Sequence, residues 1–396
     1  MTAAPQVKVA ILADMLEEGW PSMDLAADML LAELQRSHGT RVEARMVRPA
    51  LIPVTAWRRG EPAPTRDRVL NRYWLYRRAV RTVREWADVF HIIDHSYAHL
   101  VHGLPAERTI VTCHDIDAFV RSQRRGDDSS RLPGYLVRRT ATGLAKAARV
   151  ICPSRATASA LSALGNVPFA DIAVVPNGVD EPHGSPAELA HLGGELLGPL
   201  GRYVDILHVG STIARKRIDR LLEIFAELCR TDPRVRLVRV GGVFTEEQRA
   251  HAERLGVTAR IQELPLLSRD QLLAVYHRAA VVVSTSEREG FCLPVVEALA
   301  AGVPVVVPDM PVFREVGGAA AVFVNPDKPT DWPAAIRALL FERERDQAAW
   351  AHRRERARAR GARFSWKTYA SSMADQYVEL ARARERDGTA RAREAS

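Results

Sequence analysis

The chain has 396 residues, 47% of them hydrophobic, with 56 Lys and Arg against 48 Asp and Glu and a formal charge of +8. That is length enough for two domains of ordinary size, and the absence of any run of eighteen uninterrupted apolar residues excludes a transmembrane helix. Four scattered cysteines (Cys113, Cys152, Cys229, Cys292) lack CxxC or other ligand spacing, which argues against a disulfide framework or a zinc site.

In chain order, the opening MTAAPQVKVAILAD runs straight into a strand, without the charged region, long apolar core and cleavage site of a signal peptide. With reduced cysteines, this reads as a cytoplasmic protein, with membrane contact at most peripheral at the inner face. Strands are predicted at 7–14, 41–47, 89–94, 109–115, 149–154 and 172–178, with helix-length segments at 23–37, 66–87 and 154–164 between them. The series then restarts, with strands at 205–210, 235–242, 260–264, 280–286, 303–309 and 320–326 and helices at 217–230, 269–279 and 294–301. Several strands are continuously apolar rather than alternating, as parallel strands covered on both faces require. Two successive series of this kind predict an α/β protein of two doubly wound, Rossmann-like domains. The boundaries are read as 1–180 for the first domain and 203–363 for the second. The Gly- and Pro-rich stretch 181–202 reads as a linker. The segment 364–385, with Phe364, Trp366, Tyr369 and Tyr377 on one face, reads as a helix packing back, and 386–396 reads as a disordered tail.

The Arg-rich stretches 58–84 and 351–363 read as solvated helical faces, and neither has the signature of a nucleic-acid-binding fold, so no nucleic-acid partner is expected. The segment 66–87 also carries Tyr73, Trp74, Tyr76 and Trp86. Packing in the first domain is its favoured reading, beside contact with anionic lipid or a cover for a cleft.

In doubly wound sheets, ligands bind outside the carboxyl ends of the strands, so the loops after strands are the candidates, and a cleft between two such domains is the natural site. The stretch STSEREGFCLPVVEALAAGVPVVVPDM (284–310) ends a strand, turns, and starts a helix at Pro294, a residue suited to the first helical position. The amides of Phe291, Cys292 and Leu293 would stand at that helix N-terminus, prepared for phosphate oxygens. Glu289 and Glu297 flank them and read as acceptors for hydroxyls of a ribose or a sugar, unless they merely favour the helix dipole. Cys292 at this turn requires a negative φ to be tolerated.

The loop Gly210-Ser211-Thr212-Ile213-Ala214-Arg215-Lys216-Arg217 comes after another strand and is not a P-loop. Its three adjacent cations sit poorly at a helix start, which argues for a bound anion or else for a solvated basic turn. Only five of the 56 basic residues are Lys, so Lys216 reads as a place for a point charge. In TIVTCHDIDAF, Asp115 ends a strand and caps the turn after it, and His114 is either a cleft residue or a satisfied structural histidine. VVPNGVD (174–180) reads as a plain turn through Asn177 and Gly178.

Together EREGFCLPVVEALAAGVPVVV, HVGSTIARK, TCHD, VICPS and VVPNGVD resemble the retaining glycosyltransferases of the GT-B fold, glycosyltransferase family 4 (glycosyl transferases group 1). The resemblance covers most of the chain and implies two domains facing across a cleft, 1–180 on the acceptor side and 203–363 binding the nucleotide sugar, with the C-terminal helix crossing back to the first. It implies transfer of a hexosyl group, with retention, from a UDP- or GDP-linked sugar to an acceptor hydroxyl on a glycan, a lipid-linked molecule or a small natural product. No metal and no cofactor beyond the nucleotide sugar are implied. It assigns Glu297 to the ribose, Glu289 to the donor sugar, and Gly290, Phe291, Cys292 and Leu293 to sugar and diphosphate. Arg215 and Lys216 would neutralise the diphosphate, beside Gly210 and Ser211. His114 would reach the sugar, and Gly19, Trp20 and Asp115 would stand on the acceptor side. The chain departs from the family pattern at Ser211, where an Arg is common, at Cys292, where a Gly is common, and in a first loop poorer in glycine. An epimerase or hydrolase acting on nucleotide sugars, or a non-catalytic binding subunit, would share the fold. An NAD-linked oxidoreductase is disfavoured because no G-x-G-x-x-G stands after the first strand.

Overall fold

The computed structural model describes residues 6–55, 63–124, 132–165, 167–180, 183–199 and 201–394. Parts of the two stretches read as Arg-rich face and linker (58–62, 181, 182 and 200) and the last two residues of the tail lie outside them. The chain forms two units, Met1–Gly178 with Trp366–Ser396, and Val179–Ser365.

The first unit carries β1 (Val7–Leu12), β2 (Val42–Val47), β3 (Val89–Ile92), β4 (Thr109–Thr112), β5 (Arg149–Cys152) and β6 (Ile172–Val174), all parallel, in the order β2-β1-β3-β4-β5-β6. The second carries β7 (Val204–Val209), β8 (Val235–Val240), β9 (Ile261–Leu264), β10 (Val281–Val283), β11 (Val305–Pro308) and β12 (Ala321–Val324), also parallel, in the order β12-β11-β10-β7-β8-β9. Each of the twelve falls on a segment predicted as a strand, to within one residue. In both sheets the strand order reverses beside the first strand, between β1 and β3 and between β7 and β10. Those two points are where doubly wound sheets open a crevice for ligands.

The helix Trp366–Glu394 belongs to the first unit. Trp366, Tyr369, Ala370, Met373, Ala374 and Tyr377 recur at three- and four-residue spacing and are buried in one core with Val9, Ile11, Ala26 and Leu30. Tyr377 also satisfies a polar group inside the sheet. Its hydroxyl lies 2.7 Å from Nδ1 of His91, whose Nε2 lies 2.8 Å from Thr112 Oγ1. The helix continues past the point where the polar sequence from 386 onward reads as disordered.

The segment 66–87 packs. Thr65–Leu70, Asn71–Leu75 and Tyr76–Arg81 form consecutive helical turns, the middle one widened to π geometry. Asp67 and Asn71 are buried because they satisfy backbone groups of the loop at 52–55, including Ile52 N at 2.8 Å and Val54 N at 2.9 Å. Tyr76 is buried, Tyr73 stacks on His99, Trp86 packs under Arg45, and Trp74 is exposed.

The stretch 181–202 is more than a linker. Ser185 caps the helix Pro186–Leu197 through a reciprocal bond with Glu188, and Arg278 on the helix Arg269–Arg278 reaches the carbonyl of Gly193 at 3.2 Å. The signal was present as Ser-Pro-Ala-Glu, a capping box with Pro at the first position, but the surrounding glycines obscured it. Elsewhere in this unit, the helix Gln347–Gly361 meets the helix Leu293–Ala300 closely at Gly361, where an added Cβ would lie 2.3 Å from Ala300 N.

Candidate functional site

In the second unit, the loops after β7 and β10 stand side by side at the strand reversal, joined by main-chain and side-chain bonds. Glu287 N donates to Arg215 O at 2.9 Å, and the hydroxyl of the fully buried Thr285 reaches Lys216 O at 2.8 Å and Arg217 O at 3.1 Å. Among the described residues, the non-glycine residues with positive φ are Arg217 (50°) and Cys292 (68°). They are the N-caps of the helices Ile218–Thr231 and Leu293–Ala300, which begin beside this reversal. Left-handed backbone costs an ordinary residue about 1–2 kcal/mol, and such strain concentrates at ligand sites.

The positive φ of Cys292 corrects the expectation that a side chain there demands a negative one. The turn keeps the geometry a glycine would adopt, and the thiol is accommodated in the interior, 3.9 Å from Ser284 Oγ. Burial pushes this thiol up to about 12, with the charge of Glu289 adding to it. Cys292→Gly is therefore expected to leave the melting temperature nearly unchanged, relief of about 1–2 kcal/mol of strain offsetting about 0.8–1.5 kcal/mol of lost burial. Cys292→Val, with a branched Cβ in the same conformation, is expected to lower it clearly. Thermal denaturation of both variants checks this, and the reverse order would refute it.

Lys216 Nζ lies 2.5 Å from Glu289 Oε1, and Arg215 Nη1 lies 2.9 Å from Glu289 Oε2 and donates to Arg288 O at 2.9 Å. The Glu289 side chain is 6% exposed. Burial opposes its ionisation, but Lys216 and Arg215 more than offset this and hold its carboxyl below the usual range. Arg217 is paired separately with Asp219. Two carboxylates of the protein thus offset most of the charge of the three cations, so the dipole cost does not by itself call for a bound anion. One net positive charge remains across Arg215, Lys216 and Glu289. Both oxygens of Glu289 are occupied by these cations.

The amides of Phe291, Cys292 and Leu293 have no acceptor among the described residues. Phe291 is buried edge-on against Phe364, with ring centroids 5.6 Å apart, which fixes the turn that presents them. Glu297 accepts from the Tyr276 hydroxyl at 2.7 Å, and burial raises its carboxyl above the usual range, with Tyr276 and Arg269 opposing. Gly210 has φ 151° and Ser211 is exposed. Behind them, a Cβ on Gly241 (φ 105°) would meet Gly210 O at 2.7 Å, so the loops after β7 and β8 touch through bare backbone. Arg239, fully buried in β8, bonds His208 Nδ1 at 3.1 Å, Gly242 O at 3.3 Å and the carbonyl of Gly210. Burial lowers its guanidinium to about 10. Sequence reading missed Tyr276, Thr285 and Arg239. Only Arg239 left a signal, as an arginine inside the apolar strand VRLVRV.

In the first unit, His114 stands two residues beyond β4 and is buried, with Nε2 2.9 Å from Ile93 O and Nδ1 without a partner among the described residues. Burial lowers its pKa and keeps the ring neutral. Asp115 Oδ1 accepts from Asp117 N at 3.0 Å, the capping role expected of it. Gly19 has φ 72° and its amide bonds Leu16 O at 3.1 Å, while Trp20 is 48% exposed. No helix among the described residues is long and apolar enough to cross a membrane.

Comparison with known proteins agrees with this division. The family model described as glycosyl transferases group 1 matches residues 199–357, and that of glycosyltransferase family 4 matches 29–182. The D-inositol 3-phosphate glycosyltransferase of Segniliparus rotundus is 35% identical over 220 residues, 52% of this chain and 46% of that protein. The GDP-mannose:cellobiosyl-diphosphopolyprenol alpha-mannosyltransferase of Xanthomonas oryzae is 28% identical over 178 residues, 43% of this chain and 46% of that protein. The chain spans about half the length of the curated relatives it matches. Among solved structures, sucrose-phosphate synthase of Thermosynechococcus elongatus superposes with a TM-score of 0.73 at 18% identity, covering 96% of this chain and all of the other. HepE of Anabaena in complex with UDP-glucose does so with a TM-score of 0.67 at 19% identity, covering 94% and 99%. These two similarities concern the fold, GT-B.

Proposed function

The chain belongs to the glycosyl transferases group 1 family, and from that premise we propose that it transfers a hexosyl group from a nucleoside-diphosphate sugar to an acceptor hydroxyl, with retention and without a metal. The observation that carries this reading is the second unit's strand reversal. There Lys216 and Arg215 are held on Glu289 beside three amides without acceptors. Breaking the bond between the anomeric carbon and the diphosphate leaves negative charge on the phosphate oxygens. Fixed cations and helix-terminus amides are the groups that stabilise such charge.

In this reading, the amides of Phe291, Cys292 and Leu293 and the ammonium of Lys216 receive the diphosphate. Glu289 acts first as the anchor that aims both cations, since its oxygens are already engaged. Glu297, oriented by Tyr276, accepts from the ribose hydroxyls, and the segment 263–266 lies near the base. The new bond forms on the face from which the diphosphate departs, and the acceptor proton passes to the leaving phosphate oxygen. The donor is a UDP- or GDP-linked hexose. GDP-mannose appears in the name of one relative, and one structural neighbour is a complex with UDP-glucose.

A thermal-shift panel of UDP, GDP, ADP and TDP sugars tests the reading. A ligand at a hundred times its Kd stabilises the folded state by about 2.7 kcal/mol, so one nucleotide should stand out as a clear rise in melting temperature. No shift with any of them would overturn the proposal.

A further inference from the structure

The first unit has its own row of buried polar groups at its strand reversal. Leu12 on β1 is the register partner of Ile92 on β3, and Ile92 that of Val111 on β4. Asp14, Asp94 and His114 therefore stand just beyond three neighbouring strands at nearly the same level. All are buried, Asp14 at 1% exposure. Most of their neighbours are committed. Glu18 pairs with Arg72, whose guanidinium lies over the Tyr97 ring. Asp94 lies 3.0 Å from His95 Nδ1 and accepts from Ser96 N at 3.2 Å. The Tyr76 hydroxyl is directed to Ala13 O at 2.6 Å and Val47 O at 2.9 Å, and the Tyr97 hydroxyl accepts from Met15 N at 3.4 Å.

Asp14 alone in this row has both carboxylate oxygens buried and without a hydrogen-bond partner. Such a group forfeits the hydrogen bonds that water gives it in the unfolded chain. It holds no backbone amide and no side chain in place, so packing gives no reason for a carboxyl there. It also stands at a strand end beside the reversal, where doubly wound sheets take ligands. No group of three His, Cys, Asp or Glu side chains among the described residues could hold a metal ion, so a cation does not account for it. An anion would meet the like charges of Asp94 and Glu18. A neutral hydroxyl, which both donates and accepts, meets neither objection.

We propose that Asp14 is an acceptor-binding group, and that the carboxyl ends of β1 and β3 form a subsite for a neutral, hydroxyl-rich ring, one of whose hydroxyls bonds the Asp14 carboxyl. The proposal rests on the glycosyltransferase reading and adds to it the residue and the chemical class of the acceptor. Burial above all, then the charges of Asp94 and Glu18, raises the Asp14 carboxyl well above the usual range, with Arg72 opposing and Asp24 adding slightly. When protonated, the group can donate to the ring as well as accept from it.

The test uses the full chain, its best nucleotide sugar from the thermal-shift panel, and a set of neutral polyols (myo-inositol, D-glucose, D-mannose) as acceptors. Transfer to at least one is expected. Asp14→Ala is expected to raise the KM for that polyol at least tenfold. Asp14→Asn, which keeps one donor and one acceptor, should raise it less, and nucleotide-sugar affinity should stay within twofold in both. Because the folded-state pKa of Asp14 lies above the unfolded value of about 3.9, its favourable contribution is complete below that value and is lost as pH rises through the folded pKa. Asp14→Asn should therefore melt above the wild type at pH 8, and the two should converge near pH 4. An unchanged polyol KM alongside a normal nucleotide shift overturns this proposal alone, as does transfer to none of the polyols. Absence of any nucleotide shift overturns the transferase reading and this proposal with it.

Discussion

Lys216→Ala is expected to lower kcat by roughly a hundred- to thousandfold, the loss of about 2.7–4 kcal/mol that accompanies removal of one donor aimed at developing oxyanion charge. The fold should survive, because Lys216 stands in a short loop between β7 and the helix Ile218–Thr231 and its side chain makes no apolar core. Arg215 remains on Glu289 in the variant. Steady-state rates with the preferred nucleotide sugar, alongside a melting curve, decide the matter, and wild-type turnover would remove Lys216 from the site. Glu289→Gln should act on the same unit, since it releases both cations. The double variant is then expected to fall short of the sum of the two single losses by about 0.5–3 kcal/mol, as contacting residues do. The pH dependence has a definite sign. With Glu289 held below the usual carboxylate range by Lys216 and Arg215, the ion pairs contribute stability that is complete above the unfolded value of about 4.3. That contribution is lost as pH falls through the folded value. Lys216→Ala should flatten this acid limb.

Truncation after Ser365 is expected to unfold the first unit and leave the second folded. The missing helix buries Trp366, Tyr369, Met373 and Tyr377 among Val9, Ile11, Ala26 and Leu30. Four large side chains at about 1.5–3 kcal/mol each amount to roughly 6–12 kcal/mol, comparable with the whole stability of a domain, about 5–15 kcal/mol. His91 would in addition lose the hydroxyl partner on its Nδ1 inside the sheet. Limited proteolysis should digest residues 6–178 and spare a fragment close to 179–365. That fragment should still respond to the nucleotide sugar, because Lys216, Glu289 and Glu297 all lie within it. A truncated chain whose first unit resists protease and keeps its near-UV circular dichroism would refute the assignment of that helix to the first unit's core.

The twelve strands, the two parallel sheets and the return of the C-terminal helix were all legible in the sequence. Continuous apolar runs such as AVVV and VVVP fit strands covered on both faces. The aromatic spacing of 366–377 is a helical stripe that must be buried against something. The candidate site was legible as a set of residue types just after strands: Lys216, Arg215, Glu289, Glu297 and His114 all lie at strand ends or on the loops and helices just beyond them. What each carboxylate does was decided by the tertiary structure. E-x7-E reads as a symmetrical pair, but Glu289 is claimed by two cations from the loop after β7, while Glu297 is held by a tyrosine 21 residues away. The conformation of Cys292 was likewise out of reach, because a positive φ at a non-glycine residue is set by the turn that must carry it. Asp14 was visible as an acid at the end of an apolar strand. Its burial, and the lack of a partner for either of its oxygens, exist only in the folded chain. Sequence determines periodicity, and periodicity determines elements and their layers. Which polar atoms find partners depends on contacts between residues far apart in the chain, and those exist only once the sheets have formed.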